Sequence, residues 1–308
     1  MSKNRSLASV KMVRLIEKLA PSEGYTQSGL DSVRLMRSDR PLGRTPVLYE
    51  PSIVIVCQGR KLGFLGNDVY IYDAQHYLVL SVPLPFSTET QASREEPMLA
   101  VSIRLDLLEL SDLITQIGAF GRLPDAAPNG IVSTPLDDPL ADATVRLLEA
   151  LTVPMDAHIL GPGLVREICY RMLAGAQGGA LCAALGHHGR FGRVAKALKR
   201  IHADYASPLN VPRLAEEAGM SVPAFHANFR AVTQTSPIQY IKSTRLHHAR
   251  LMMIRDGLTA AAAAGRVGYE STSQFSREFK RLFGRTPVEE ARDMRESFSL
   301  SPAVHFGT

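Results

Sequence analysis

The chain has 308 residues, of which 45% are hydrophobic and 21% are charged, and its formal net charge is +5. This length accommodates two domains with cores of their own, and the composition excludes a disordered chain. The three cysteines, Cys57, Cys169 and Cys182, cannot all pair and show no metal-ligand spacing, so we expect reduced thiols in the cytoplasm. No segment has the pattern of a signal peptide or a membrane span.

The charge is distributed unevenly along the chain. From Arg190 to the end there are 18 lysines and arginines against 10 acidic residues, a net charge of +8, whereas residues 1–189 carry 17 against 20, a net charge of −3. A basic C-terminal third behind an acidic remainder is typical of a DNA-binding domain joined to another domain, although many solvated surfaces are also basic.

The N-terminal part changes from helix to strand texture. Apolar spacing over residues 7–20 predicts a short amphipathic helix that ends at Pro21. Between Gly29 and Arg104, six short β-rich runs alternate with turn residues, and they predict a compact antiparallel barrel or sandwich. The runs KLGFLG and DVYIYD flank Asn67 and predict a hairpin.

Helical patterns return after Arg104. Three amphipathic stretches up to residue 174 predict helices that cover the barrel or form a subunit interface, and the pattern does not decide between these roles. The glycine-rich segment 175–192 lacks an apolar period, and we interpret residues 179–192 as an interdomain linker. Beyond it, Asn210 and Ser221 are expected to cap two helices, and Ser236-Pro237 to begin a long one.

The stretch from Asp256 to Arg295 predicts two helices joined by a turn at Gly268. In the second helix, Phe275, Phe279 and Leu282 share one face, and polar and basic residues occupy the other. A packed helical hairpin and a DNA-reading helix-turn-helix both fit this pattern. Residues 213–237 repeat it, with a small-residue helix, a Gly turn, a Ser and a Phe-x-x-x-Phe helix. Two such units joined by a long helix favour DNA reading in successive major-groove segments.

The C-terminal hundred residues resemble the DNA-binding domain of the AraC/XylS family of bacterial transcription regulators. The resemblance rests on LAEEAGMS, SPIQYI and above all VGYES…FSREFKRLFGRTP, and it covers about a third of the chain. It implies seven helices in two helix-turn-helix units that bind promoter DNA, more often to activate transcription than to repress it. The segment from RSDRPLGRTPVLYEPSIVIVCQGRK to YDAQHYLVLSVPLPF similarly resembles the cupin-like N-terminal domain of one branch of this family.

Two positions depart from the family pattern. The first recognition helix of the family usually ends in Thr-Gly, but here Thr233 is followed by Gln234, so a glycine that tolerates left-handed backbone is missing. The first helix of the second unit usually carries a large aliphatic residue, whereas residues 260–264 are all alanine, which predicts a thinner core.

The family pattern assigns groove-facing positions in both units. For the first recognition helix they are Pro223, His226, Ala227 and Arg230; for the second they are Thr272, Ser273, Ser276 and Arg277, with Lys280 and Arg281 nearer the DNA backbone. Arg277 could bind guanine in bidentate fashion, while Ser and Thr make short, permissive contacts. The alternative for each is an ordinary solvated side chain, and the phenylalanines of both helices are assigned to the core.

Two basic residues of the connecting helix, Lys242 and Arg245, are candidates for phosphate contacts, which would position the domain without reading sequence. A helical arginine is equally often a plain surface charge.

The barrel region holds a single histidine, His76, and no H-x-H pair, so we predict neither a metal site nor a cofactor. A small-molecule pocket in the barrel mouth is expected, because the family couples an effector-sensing domain to its DNA reader. Cys57 is interpreted either as a buried small hydrophobic residue or as a sensor thiol whose pKa is lowered by Arg60 or Lys61.

We therefore predict an α+β protein of two domains, in which residues 1–178 form a cupin-like antiparallel β-barrel with accessory helices and residues 193–297 form an all-α double helix-turn-helix domain. Residues 179–192 are the linker and residues 298–308 a tail.

The predicted function is a cytoplasmic, nucleoid-associated transcription regulator that is not an enzyme. Its partners would be promoter DNA, RNA polymerase, an unidentified effector and, alternatively, a second copy of itself. The rivals are a cupin-type enzyme fused to a DNA-binding module and a regulator controlled only by its own abundance.

Overall fold

The computed structural model describes residues 7–120, 129–185 and 190–298. A helix, α1 (Leu7–Leu19), precedes a series of strands, as the sequence predicts. The strands are β1 (Gly24–Gln27), β2 (Val33–Ser38), β3 (Leu42–Tyr49), β4 (Ser52–Gln58), β5 (Arg60–Leu65), β6 (Asp68–Asp73), β7 (His76–Leu80), β8 (Leu84–Gln91), β9 (Met98–Arg104) and β10 (Ile131–Pro135).

The strands form two antiparallel sheets. One has six strands in the order β1-β2-β9-β4-β7-β10, and the other has four in the order β3-β8-β5-β6. The sheets do not join into a closed barrel, so the cupin-like fold takes the form of a sandwich. The run YLVLSVPLPF, which reads as one strand in the sequence, is divided between the two sheets. β7 ends at Leu80, and after residues 81–83 the chain enters β8 in the other sheet.

The six-stranded sheet is buried on both faces. All seven residues of β4 are buried. Ile53, Ile55 and Cys57 pack toward the helices, whereas Val54 and Val56 pack toward the other sheet. This explains why the sequence of β4 is continuously apolar instead of alternating.

The predicted hairpin is confirmed. β5 and β6 pair in register from Arg60 opposite Asp73 to Leu65 opposite Asp68. Gly66 forms the turn with φ 60°, a left-handed conformation that glycine adopts without steric cost.

Helices cover the outer face of the six-stranded sheet. They are α1 together with α2 (Leu107–Phe120), α3 (Asp138–Ala150), α4 (Pro154–Ala174) and α5 (Gly178–Leu185). Asp137 caps α3 by accepting a hydrogen bond from the backbone N–H of Leu140, and the following Asp-Pro begins the helix as predicted. These helices therefore serve the covering role that the sequence left open.

The glycine-rich segment is more ordered than the sequence suggests. Residues 178–185, most of which we expected in the linker, form α5, and α5 packs against α4. The next helix begins at Arg190, and residues 186–189 lie outside the described residues. The predicted tail, residues 298–308, lies outside them as well except for its first residue. The small residues of α5 form a helix because neighbouring elements supply the packing that their own sequence pattern lacks.

Seven helices form the C-terminal region from Arg190 to Phe298. They are α6 (Arg190–Asp204), α7 (Val211–Glu217), α8 (Val222–Thr233), α9 (Pro237–Arg255), α10 (Ala260–Arg266), α11 (Thr272–Phe283) and α12 (Pro287–Phe298). In the described part of the chain no helix has the length and hydropathy that crossing a membrane requires.

The two helix-turn-helix units differ in how they meet the N-terminal domain. One hydrophobic cluster contains Leu65 and Leu84 of the sandwich interior together with Phe225 and Phe229 of α8. The first unit thus extends the core of the sandwich. Phe275 and the rest of the second unit's core form a separate cluster.

Candidate nucleic-acid interface

The first unit consists of α7 and α8. Asn210 and Ser221 cap these helices by accepting hydrogen bonds from the backbone N–H groups of Arg213 and Ala224, at 2.8 and 3.4 Å. The intervening turn is at Gly219, with φ 63°. Both caps were predicted from the sequence, and they set the start of α8, the first recognition helix.

One face of α8 is anchored in the core. Phe225 and Phe229 are fully buried, with ring centroids 5.4 Å apart. The opposite face places all four predicted groove residues outward, with Pro223, Ala227 and Arg230 exposed and His226 partly exposed. Among these four positions, Pro223 and Ala227 offer only apolar contact, and only His226 and Arg230 carry hydrogen-bonding side chains.

The second unit consists of α10 and α11. Thr259 caps α10 and Ser271 caps α11, through the backbone N–H groups of Ala262 and Gln274. Ala263 and Ala264 are buried, so alanine occupies the inward face of α10 where the sequence predicts a thinner core. Gly284 ends α11 in the left-handed conformation, with φ 80°.

The second recognition helix has the more polar outward face. Phe275, Phe279 and Phe283 are buried on one side of α11. The predicted DNA-binding residues lie on the other side: Thr272, Ser273, Arg277, Lys280 and Arg281 are exposed and Ser276 is partly exposed. In the described part of the chain, neither Arg277 nor Arg230 has a carboxylate within ion-pair distance. Both guanidinium groups are therefore free to bind an external acceptor.

Arg245, a predicted candidate for a phosphate contact, is engaged within the protein. Arg245 Nε donates to the carbonyl oxygen of Tyr205 at 2.6 Å, and its two other nitrogens donate to the carbonyl oxygens of Ser207 and Gly268 at 2.8 and 3.2 Å. These bonds tie α9 to the end of α6 and to the turn of the second unit. A β-carbon on Gly268 would collide with the carbonyl oxygen of Ala206, which keeps this junction tight.

Lys242 is likewise engaged within the protein. Its ammonium group lies 2.6 Å from Glu278 Oε1, and Tyr269 donates to the other oxygen of Glu278 at 2.7 Å. Burial raises the pKa of Glu278, but hydrogen bonds from Lys242, Tyr269 and Gln274 outweigh it and leave the pKa below its usual value. Glu278, which holds α11 against α9, was not among the residues predicted from the sequence. Its position between outward Arg277 and buried Phe279 was the available signal.

Cys57 does not have the environment of a reactive thiol. It is 1% exposed, and its sulfur lies 3.8 Å from Met12 Sδ. Burial raises the pKa of the Cys57 thiol to about 12, so the expected lowering by Arg60 or Lys61 is wrong. The thiol is protonated at neutral pH and packs as a small hydrophobic side chain.

Two clefts flank the Arg60–Asp73 ion pair at the surface of the sandwich. One, of about 530 Å³, is lined by Gly59, Arg60 and Gln91 among others, and the second, of about 730 Å³, is lined by Tyr70 and His76 among others. Asp73 also accepts from the His76 ring at 3.1 Å. In the described ranges, His, Cys, Asp and Glu side chains form no group of three that could hold a metal ion.

Sequence comparison assigns a known domain type to each half. Residues 29–180 match the family described as AraC-type transcriptional regulator N-terminus, and residues 214–293 match a helix-turn-helix domain. The regulator AlkR of Acinetobacter baylyi is 33% identical over 94 residues, which are 30% of this chain and 31% of AlkR. The chain thus spans about a third of the length of such curated relatives. The activator VirF of Yersinia enterocolitica is 23% identical over 244 residues, covering 78% of this chain and 88% of VirF.

Structural comparison extends the likeness to both domains. Apo ToxT from Vibrio cholerae has a TM-score of 0.56 at 11% identity, covering 88% of this chain and 99% of ToxT. ToxT bound to an unsaturated fatty acid has a TM-score of 0.55 at 12% identity. These values show a shared two-domain fold. With an AraC-type N-terminal domain followed by a helix-turn-helix domain, this chain belongs to the AraC/XylS family of transcription regulators.

Proposed function

We propose that this protein is a one-component transcription regulator that reads promoter DNA through α8 and α11 and senses a small molecule in its sandwich domain. The observation that carries the proposal is the repeated unit: two recognition helices are each anchored by buried phenylalanines and each present polar or basic residues outward. Packing alone does not require the second basic face.

The two helices are proposed to contribute unequally. Ser273, Ser276 and Arg277 give α11 hydrogen-bond donors for base edges, and Lys280 and Arg281 lie near the phosphates. In α8, His226 and Arg230 supply the polar contacts. We therefore assign most of the direct base readout to the second unit.

Effector sensing is proposed for the sandwich. ToxT, which shares the fold, binds an unsaturated fatty acid. In this chain the core of the first unit is continuous with the interior of the sandwich. A ligand that changes the packing of this interior would therefore change the position of α8, which packs against it. The curated relatives are transcription regulators, and the proposal contains no catalytic step.

The proposed setting is the cytoplasm, with promoter DNA and RNA polymerase as partners. We further propose a homodimer through α4. Met155, Ile159 and Leu160 are each more than half exposed on this helix, which is unusual for three neighbouring large apolar side chains.

The test is selection of bound fragments from sheared genomic DNA by the full-length protein, followed by footprinting. We expect protection of two major-groove segments on one face of the duplex, about 34 Å apart. Equal retention of all fragments, with affinity set only by salt concentration, would contradict a sequence-specific regulator. A protein in which α11 carries Arg277→Ala and α8 carries Arg230→Ala should lose the footprint, while the exposed-site variant Arg292→Ala should keep it.

A further inference from the structure

A row of polar side chains crosses the interior of the sandwich. Lys61 on β5 stands directly opposite Tyr72 on β6 and directly opposite Thr90 on β8. Directly opposed residues of antiparallel strands project from the same face of the sheet and lie next to one another. Lys61 is 5% exposed, Thr90 2% and Tyr72 0%, so the row is enclosed.

The ammonium group of Lys61 has no counter-charge among the described residues. There its one hydrogen bond is donated to Thr90 Oγ1 at 3.1 Å, and no carboxylate oxygen lies within ion-pair distance of it. Burial lowers the pKa of Lys61, since desolvation penalises the charged form. A buried lysine without a counter-charge is costly, and an apolar residue of similar size would fill this position at lower cost.

The neighbouring hydroxyl is also unsatisfied. Tyr72 is fully buried, and among the described residues its hydroxyl has no hydrogen-bond partner at normal distance. Burial is the largest cause of its raised pKa, followed by the charges of Tyr49 and Tyr25 and by the nearby Tyr49 hydroxyl. Buried polar groups without a partner are uncommon in folded proteins. An unsatisfied hydroxyl beside a buried amine that lacks a counter-charge indicates a group that the protein does not itself supply.

We propose that Lys61 and Tyr72 bind the carboxylate of an organic monoanion inside the sandwich, with Thr90 holding the Lys61 side chain in position. This inference rests on the proposed function, because the monoanion would be the effector. A carboxylate presents two oxygens, one for the ammonium group and one for the hydroxyl. A single ammonium offsets a single negative charge, which favours a monocarboxylate over a phosphate dianion.

The surroundings match an apolar remainder of the ligand. Tyr49 and Phe86 pack edge to face with ring centroids 5.1 Å apart in the same interior. Arg60 precedes Lys61 on β5 and Gln91 follows Thr90 on β8, and both line the cleft of about 530 Å³. Alternate residues of a strand face opposite sides of the sheet, so this cleft lies on the other side of β5 and β8 from Lys61. The proposed entrance is therefore the end of the sandwich where β4 turns into β5.

The test uses the full-length protein and the straight-chain carboxylates from butanoate to dodecanoate, each compared with its amide. We expect a carboxylate of this series to bind in calorimetry and to raise the melting temperature, while the amide does not. Lys61→Met should weaken carboxylate binding at least about 30-fold and leave the ligand-free protein as stable as before or more stable. Tyr72→Phe should weaken it about 10-fold, and Lys61→Arg should keep part of the affinity.

The exposed Lys11 on α1 provides the control for a general loss of charge, and Lys11→Met should bind as the unchanged protein does. Equal affinity of the Lys61→Met variant, or no binding by any carboxylate of the series, would overturn the proposal. So would destabilisation of the ligand-free protein by both substitutions in the absence of carboxylate binding, since the row would then be structural. DNA binding by the same samples tests the proposed regulator function separately. A neutral ligand that binds the unchanged protein and the Lys61→Met variant equally would support effector sensing but overturn the carboxylate site.

Discussion

The side-chain amide of Gln234 donates a hydrogen bond to Asp68 Oδ2 at 2.7 Å, across 166 residues of sequence. Gln234 caps the C-terminus of the first recognition helix, and among the described residues it is the single non-glycine with positive φ, at 54°. The family pattern noted above usually has glycine at this position. Gln234 thus accepts a strained backbone, and its side chain reaches the β5–β6 turn of the sandwich.

This pairing predicts a specific double-mutant cycle. Asp68→Ala removes this hydrogen bond from an exposed site and should cost about 1 kcal/mol or less. In that background Gln234→Gly relieves the left-handed backbone and should stabilise the protein by about 1 kcal/mol. In the unchanged background the two effects nearly cancel. Urea unfolding of the four proteins measures the cycle, and identical effects of Gln234→Gly in both backgrounds would show that the contact contributes nothing.

Arg277→Ala should relax base preference at one operator position and weaken specific binding by about 1–3 kcal/mol. The reason is that Arg277 is exposed on α11 without an internal partner and can reach guanine O6 and N7. Titrations with operator and with random DNA measure the difference, and Arg292→Ala on α12 is the control. Equal losses on both DNAs would mean that Arg277 contacts only phosphate.

Arg245→Met should lower the free energy of unfolding by about 2 kcal/mol or more, since three carbonyl oxygens lose their donor. It should leave the salt dependence of non-specific DNA binding unchanged, because the guanidinium is occupied within the protein. Lys280→Ala should instead reduce that slope by about one unit. The same reduction for Arg245→Met would restore the phosphate contact that the sequence suggested.

Acid should destabilise the protein through His247. The side chain is 4% exposed, and burial, helped by Arg250 and His248, lowers its pKa to about 3. Between the unfolded value near 6.5 and pH 3 the unfolded chain binds the extra proton, so stability falls as the pH drops through this window. In the His247→Leu variant, the free energy of unfolding should fall less steeply with decreasing pH, by the contribution of one proton, when it is measured by urea unfolding between pH 7 and pH 4. The same pH dependence in the variant and the unchanged protein would show that His247 takes up its proton in the folded protein as in the unfolded chain.

Ile159→Glu should convert a homodimer into a monomer, because it places a charge in the exposed apolar stripe of α4. Light scattering coupled to size exclusion gives the mass of each species. Val288→Glu, on an exposed residue of α12, is the matched control. A monomeric unchanged protein, or a dimer that persists in Ile159→Glu, would remove α4 as the interface.

Secondary structure was most predictable from the sequence where local interactions decide it. The caps at Asn210 and Ser221, the stop at Gly284 and the phenylalanine faces of α8 and α11 are confirmed, since each depends on neighbours within one or two helical turns. Several strands were missed. β3 contains Gly43 and Pro46, and β10 is five residues long between helices, so their partners in the sheets define them better than their own residues do.

The amino-acid sequence by itself determined the helices of the DNA-reading half, its duplication and the outward position of Arg277, because capping and helical periodicity are encoded within short segments. Only the tertiary structure decided what Arg245, Cys57 and Lys61 do. Their roles depend on burial and on partners far away in sequence, such as the carbonyl of Tyr205, Met12 and Thr90. The charge state of a side chain and the hydrogen-bonding groups it leaves unpaired are set by the residues that surround it. Those residues come together only when the chain folds.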